Sequence, residues 1–99
     1  MYVPIIENWS EIWGEVQGLS PSADLGGFSE VDVLVQQVQP VDDYPNLLEG
    51  AAGSTLKVLF PEDLAAALDL CQGCGIHCRV RKAPLARTFV HREHASRMD

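Results

Sequence analysis

The sequence predicts a mainly β, α+β fold: a small curled sheet or partly open OB-like barrel with one helix between its strands, preceded by an N-terminal arm. Three observations carry this. After residue 29, four segments alternate apolar and polar residues with a period of two, as half-buried strands do. One segment among them carries a helical stripe, too few helices for parallel crossover units. With 99 residues, 46% of them apolar, the chain supports one modest core and no second one. The expected organisation is a single domain over 1–99, with an acidic and aromatic arm over 1–29, a barrel core over 30–92 and a polar tail over 93–99.

In the arm, Asn8 stands three residues before Glu11 as in a capping box, and Trp9, Ile12, Trp13 and Val16 follow helical spacing. This predicts a short helix over 8–17. Gly14 weakens that helix by about 1 kcal/mol relative to Ala, and an irregular strand starting near Trp13 is the alternative. Residues 18–29, with Gly18, Pro21, Gly26 and Gly27, read as a loop. Val31, Val33 and Val35 then alternate with Asp32, Leu34 and Gln36, and Val38 continues the run after a slip at Gln36-Gln37. Pro40 and Asp42-Asp43-Tyr44-Pro45-Asn46 end this strand, with Leu47 and Leu48 as anchors beneath the loop. Leu56, Val58 and Phe60 mark the next strand.

Pro61 with Glu62 and Asp63 begins a helix, because a first-turn proline needs no N–H partner and acids complement the positive end. Its stripe is Leu64, Ala67, Leu68 and Cys71, and Gly73 is its expected stop. Ile76, Cys78 and Val80 are then inward on a strand whose outward residues are His77, Arg79 and Arg81. Thr88 to His91 forms a last short strand.

The run Leu56-Lys57-Val58-Leu59-Phe60-Pro61-Glu62-Asp63-Leu64, then Leu68-Asp69-Leu70, a glycine-containing turn and Cys78-Arg79-Val80-Arg81-Lys82-Ala83, resembles the strand, helix, turn, strand succession of OB-fold-like barrels. It is most similar to their TOBE-type relatives in transport ATPases and oxyanion-binding proteins. The resemblance covers residues 30–92, about two thirds of the chain. It implies a binding module for oxyanions, oligonucleotides or protein partners.

Charge narrows the classes of partner. The net charge of −7 excludes a protein that coats nucleic acid or anionic lipid over its whole surface. The charge is unevenly placed, however: residues 1–70 hold 12 Asp and Glu against Lys57 alone, while residues 71–99 hold six Lys and Arg against Glu93 and Asp99. No stretch approaches the length of a membrane span, and no basic, apolar leader opens the sequence, so a cytoplasmic protein with no membrane contact is expected.

Cys71, Cys74, His77 and Cys78 lie within eight residues. Soft ligands at that density can close a zinc site, but Cys78 and His77 belong to opposite faces of one strand. The expectation is no metal or other cofactor, with Cys71 and Cys78 as small buried hydrophobes and Cys74 as a turn residue. A redox role for Cys71 and Cys74 is disfavoured, because the pair sits at the negative end of the helix dipole, which opposes a thiolate.

Two binding surfaces remain. Arg79, Arg81, Lys82 and Arg87 form a basic hairpin suited to phosphate, carboxylate or an acidic protein. Trp9 and Trp13, with Tyr2 and Phe28, form an aromatic arm. Phe89 is expected in the core, which leaves the hairpin without the ring platforms that single-stranded nucleic acid favours. No nucleophile elbow or phosphate loop is present, so no enzyme is expected. The expected function is a binding or adaptor module for a protein partner or a second copy of itself. Nucleic-acid or oxyanion binding through the hairpin, and a zinc or redox site at the cysteines, are the alternatives.

Overall fold

Alternation of inward and outward side chains runs through five segments of the chain, and each is a strand. The computed structural model describes residues 7–98, in which β1 (Ser10–Pro21), β2 (Phe28–Pro40), β3 (Thr55–Pro61), α1 (Glu62–Ala67), β4 (Gly75–Ala83) and β5 (Arg87–Met98) follow one another. The strands close into a barrel in the order β1-β2-β3-β5-β4, with β4 returning to pair with β1. Neighbours are antiparallel except β3 and β5, which run parallel where Leu59 faces Phe89. This is a mainly β fold with one short helix between strands, as the sequence predicts, and its closed five-stranded barrel is compatible with an OB-like architecture. No helix among the described residues is long and apolar enough to cross a membrane.

The core is built from β-branched residues that suit a pleated, strongly curved wall. Ile12 and Val16 of β1, Val31, Val33 and Val35 of β2, Val58 and Phe60 of β3, and Ile76 and Val80 of β4 are all fully buried. Ala65 of α1, with half-buried Leu64 and Leu68, packs against this cluster, and the Glu62 N–H donates to the Gly27 carbonyl at 2.9 Å. The loop after β2 is pinned through Asn46, whose Oδ1 accepts from the Ser10 hydroxyl at 2.5 Å and from the Leu48 N–H at 3.2 Å. Leu48 is buried as expected, but Leu47 faces solvent at 44% exposure.

Several expectations need correction. Residues 10–17 are strand, not helix, β1 runs on to Pro21 and β2 opens at Phe28 inside the stretch expected as a loop, and the arm is no appendage, because β1 pairs with β2 on one side and β4 on the other. Helical spacing misled because Gly14 occupies an inward strand position while Trp9 and Trp13 place large apolar rings outward. Residues 93–98 are not a tail: they extend β5, with Ala95 opposite Cys78 and Met98 opposite Gly75. The helix ends at Ala67, well before Gly73, because Asp69 adopts a left-handed φ of 51°. Cys71 and Ala67 are consequently exposed rather than part of a buried stripe. Phe89 is half-buried on the outside of β5, between inward Thr88 and Val90.

The slip expected in β2 is a bulge. Trp13 faces Gln37 while Gly14 faces Val35, which leaves Gln36 unopposed and lets the sheet bend. The backbones approach so closely there that a Cβ on Gly14 would lie 2.7 Å from Val33 Cγ1 and nearer still to the Leu34 carbonyl oxygen. A larger irregularity interrupts β5: between the pairs Cys78 with Ala95 and Val80 with Val90, residues 91–94 face Arg79 alone.

Two measurements check this packing. Gly14→Ala is expected to lower stability in urea denaturation by about 1–3 kcal/mol through overpacking, whereas Gly18→Ala, with open space around its Cβ, stays within about 0.5 kcal/mol of wild type. Equal losses in the two variants would contradict the close approach at Gly14. Burial, aided by the charge of Glu11, pushes the Cys78 thiol up to about 12 from an ordinary 9.0. Above pH 9.0 the unfolded chain therefore loses a proton that the folded chain keeps. Stability should fall with rising pH by up to about 1.4 kcal/mol per pH unit over that window. Cys78→Ala should flatten the pH profile of denaturation there, and an unchanged slope would refute the assignment.

Candidate binding surface on the outer face of the barrel

With Ile12, Val16, Ile76, Cys78 and Val80 committed to the interior, the alternate residues of β1 and β4 must face outward. The antiparallel register then sets Glu11 opposite Arg79 and Trp13 opposite His77. The pairing is extended one step by Asn8, a buried residue whose amide donates to the Lys82 carbonyl at 2.9 Å and accepts from the Lys82 N–H at 2.8 Å. The side chain thus serves where a backbone rung would be.

This register brings Trp9 and Trp13 of the aromatic arm and Arg79 and Arg81 of the basic hairpin onto one face. Trp13 and His77 stack with centroids 4.3 Å apart and planes 7° from parallel. Glu11 Oε1 lies 3.1 Å from His77 Nε2 and 3.6 Å from Arg79 Nε. Neither nitrogen makes a directed hydrogen bond, and Glu11 stands as the counter-charge of Arg79 beside the His77 ring. Arg81 lies over the Trp9 ring at 5.9 Å, within cation–π range. His91 packs against the other ring neighbours, 4.8 Å from Trp9 and 4.5 Å from His94. Its Nδ1 accepts the Glu93 N–H at 3.1 Å, which fixes the ring's orientation within the irregular stretch of β5.

Over β5 this face deepens into an open groove of about 420 Å³. Phe28 and Phe89 meet edge to face at 5.7 Å and, with Pro61, Val90, Trp9 and His91, supply its apolar lining. Arg81 and Arg92 complete it. The Arg92 guanidinium grips both Asp63 carboxylate oxygens, one at 3.2 Å, and holds that carboxyl below its ordinary range. Arg81 and Lys82 are exposed and have no carboxylate partner among the described residues.

The remaining candidates are dispersed. Arg87 leaves the hairpin face and pairs with Asp24 at 3.2 Å, beside a separate cavity of about 170 Å³ that Lys57 and Glu30 also line. Tyr2 lies outside the described residues. Of the cysteines, Cys71 is exposed, contrary to expectation, whereas Cys74, which closes a turn, and Cys78 are buried. Cys78 faces the core and His77 the outer surface, so Cys71, Cys74, His77 and Cys78 do not converge. Among the described residues no three His, Cys, Asp or Glu are placed to hold a metal ion.

Pro61 and Phe89 were not legible as site residues. Inward Thr88 and Val90 carry the signal for Phe89 and His91, since they phase both rings outward. Compared with known proteins, the sequence matches no family model and no curated protein.

Proposed function

We propose that the protein is a non-catalytic binding module, related to OB-like barrels, that captures an acidic segment of a partner protein in the groove over β5. One observation carries this reading: an aromatic-lined groove has at its edge an arginine, Arg81, with no carboxylate partner among the described residues, in a chain of net charge −7. A partner that sets an apolar side chain among Trp9, Phe28 and Phe89 and a carboxylate on Arg81 satisfies both features. Rigid aromatic anchors and arginine are the groups that concentrate binding energy in protein interfaces, and guanidinium–carboxylate pairs are the stronger hydrogen bonds available to them. The TOBE-type relation proposed from residues 56–83 agrees with a binding role in a reducing cytoplasm.

Single-stranded nucleic acid is the second reading, favoured by rings standing among cations on this face. The pairing of the cations argues for less of it. Glu11 serves Arg79, Asp63 serves Arg92, and Asp24 serves Arg87. That leaves Arg81 and Lys82 for phosphates, and a salt slope of only about 1.4 if both engage.

Selection of a phage-displayed random peptide library on the protein tests the proposal. Peptides carrying Asp or Glu beside Trp, Phe or Leu should be enriched. Arg81→Ala and Phe89→Ala should each weaken their binding by about 10-fold or more, while Leu85→Asn, at the exposed β4–β5 turn, leaves it unchanged. Enrichment of peptides without acids, or equal binding by Arg81→Ala, would overturn the reading. Preferential binding of an oligo-dT strand, weakened by added salt, would replace it with the nucleic-acid one.

A further inference from the structure

We propose that Cys71 and Cys74 are a reversible dithiol–disulfide pair, a redox modification site separate from the groove over β5. After α1 ends, the chain makes a tight turn across Cys71-Gln72-Gly73-Cys74. In it the Cys74 N–H donates to the Cys71 carbonyl at 3.1 Å, and Gly73 supplies the left-handed φ of 93°. Such a turn holds the Cα atoms of its first and fourth residues within about 7 Å, the span a disulfide bridges. The sulfur is already placed: Cys74 Sγ accepts the Cys71 N–H at 3.5 Å. It therefore lies against the backbone from which the Cys71 side chain springs, and rotation about the Cys71 Cα–Cβ bond swings one sulfur toward the other.

The barrel fixes this turn. Gly73 N–H donates to the Val16 carbonyl at 2.7 Å and Val16 N–H donates to the Cys74 carbonyl at 2.8 Å, so the turn is bonded directly to β1. The two thiols are unequal in the way a reactive pair requires. Cys71 is exposed to an incoming reagent and Cys74 is buried beside it as the resolving group. Arg97 and Met98 line the same surface cavity, and Arg97 Nη1 donates to the Asp69 carbonyl at 2.6 Å, which puts a guanidinium near the turn. The dipole objection raised from the sequence loses its basis, because α1 stops at Ala67 and the dipole's influence fades within the last turn. Cys78, facing the core, takes no part.

With glutathione disulfide as the oxidant, the Cys71 thiolate attacks one glutathione sulfur. The S–S bond breaks, one glutathione thiolate leaves, and a mixed disulfide forms at Cys71. Cys74, deprotonated by the departing thiolate, attacks Cys71 Sγ and expels the second glutathione. Two protein thiols are oxidised by two electrons, one glutathione disulfide is reduced to two glutathiones, and the two protons pass to them.

Equilibration of the whole protein in glutathione redox buffers, followed by acid quench, alkylation and intact mass with peptide mapping, tests the pair. Wild type and Cys78→Ala should each lose two hydrogens, lose alkylation at Cys71 and Cys74 together, and recover both with dithiothreitol. Cys71→Ser, a surface change, should form no disulfide, and Cys74→Ala should stop at a glutathione adduct on Cys71. A wild-type protein that keeps both thiols, halts at the adduct or links Cys78 would overturn the proposal. So would one equivalent of zinc alone protecting both thiols of the reduced protein from alkylation and oxidation.

Discussion

Everything on the outer face depends on β1 lying between β2 and β4. That double pairing, with the contact of β3 and β5 at Leu59 and Phe89, closes the barrel. It also dictates which side chains become neighbours. Once Ile12 is drawn inside opposite Cys78, and Ser10 opposite Val80, Trp9, Glu11 and Trp13 have nowhere to stand except beside His77, Arg79 and Arg81. The groove is thus a by-product of core packing: the same period of two that fills the interior with valine and isoleucine sets rings and guanidinium groups side by side outside.

The closure is tight because the core is small. Gly14 lets β1 and β2 cross within less than a side chain's width, and the unopposed Gln36 supplies the bend. Asn46 holds the long loop against Ser10, α1 lays Ala65, Leu64 and Leu68 against the core cluster, and Asn8 extends the β1–β4 ladder with its own amide. In each case a polar group replaces a missing backbone partner, or an apolar one fills a gap that a short chain cannot fill with more sequence.

What the sequence made legible follows from how local each signal is. β2, β3 and β4 were plain because Val31, Val33 and Val35, or Ile76, Cys78 and Val80, alternate with polar neighbours. β1 was hidden because glycine inside and tryptophan outside invert that contrast, and the second half of β5 because Ala95 is its lone apolar inward marker after four residues without a partner. The helix end was misplaced because Asp69, unlike glycine, gives no composition cue for a left-handed conformation. The site itself was readable as two lists of residues but not as one surface. Its assembly rests on pairing between residues some 70 positions apart, and a chain-wise reading carries no register.

The turn between β4 and β5 has a consequence for how the barrel holds itself together. Leu85 and Ala86 both carry positive φ, 66° and 58°, and Leu85 is 82% exposed, so neither residue gains burial in return for a conformation that costs about 1–2 kcal/mol apiece. An isolated β4–β5 hairpin would not choose this turn. It persists because β4 is bonded to β1 and β5 lies against β3, and the Arg87 guanidinium ties the base of the turn to Asp24 across the gap between loops. Stability here flows from the ring of strands to its connections rather than the reverse, which makes closure an all-or-none property of the whole circuit.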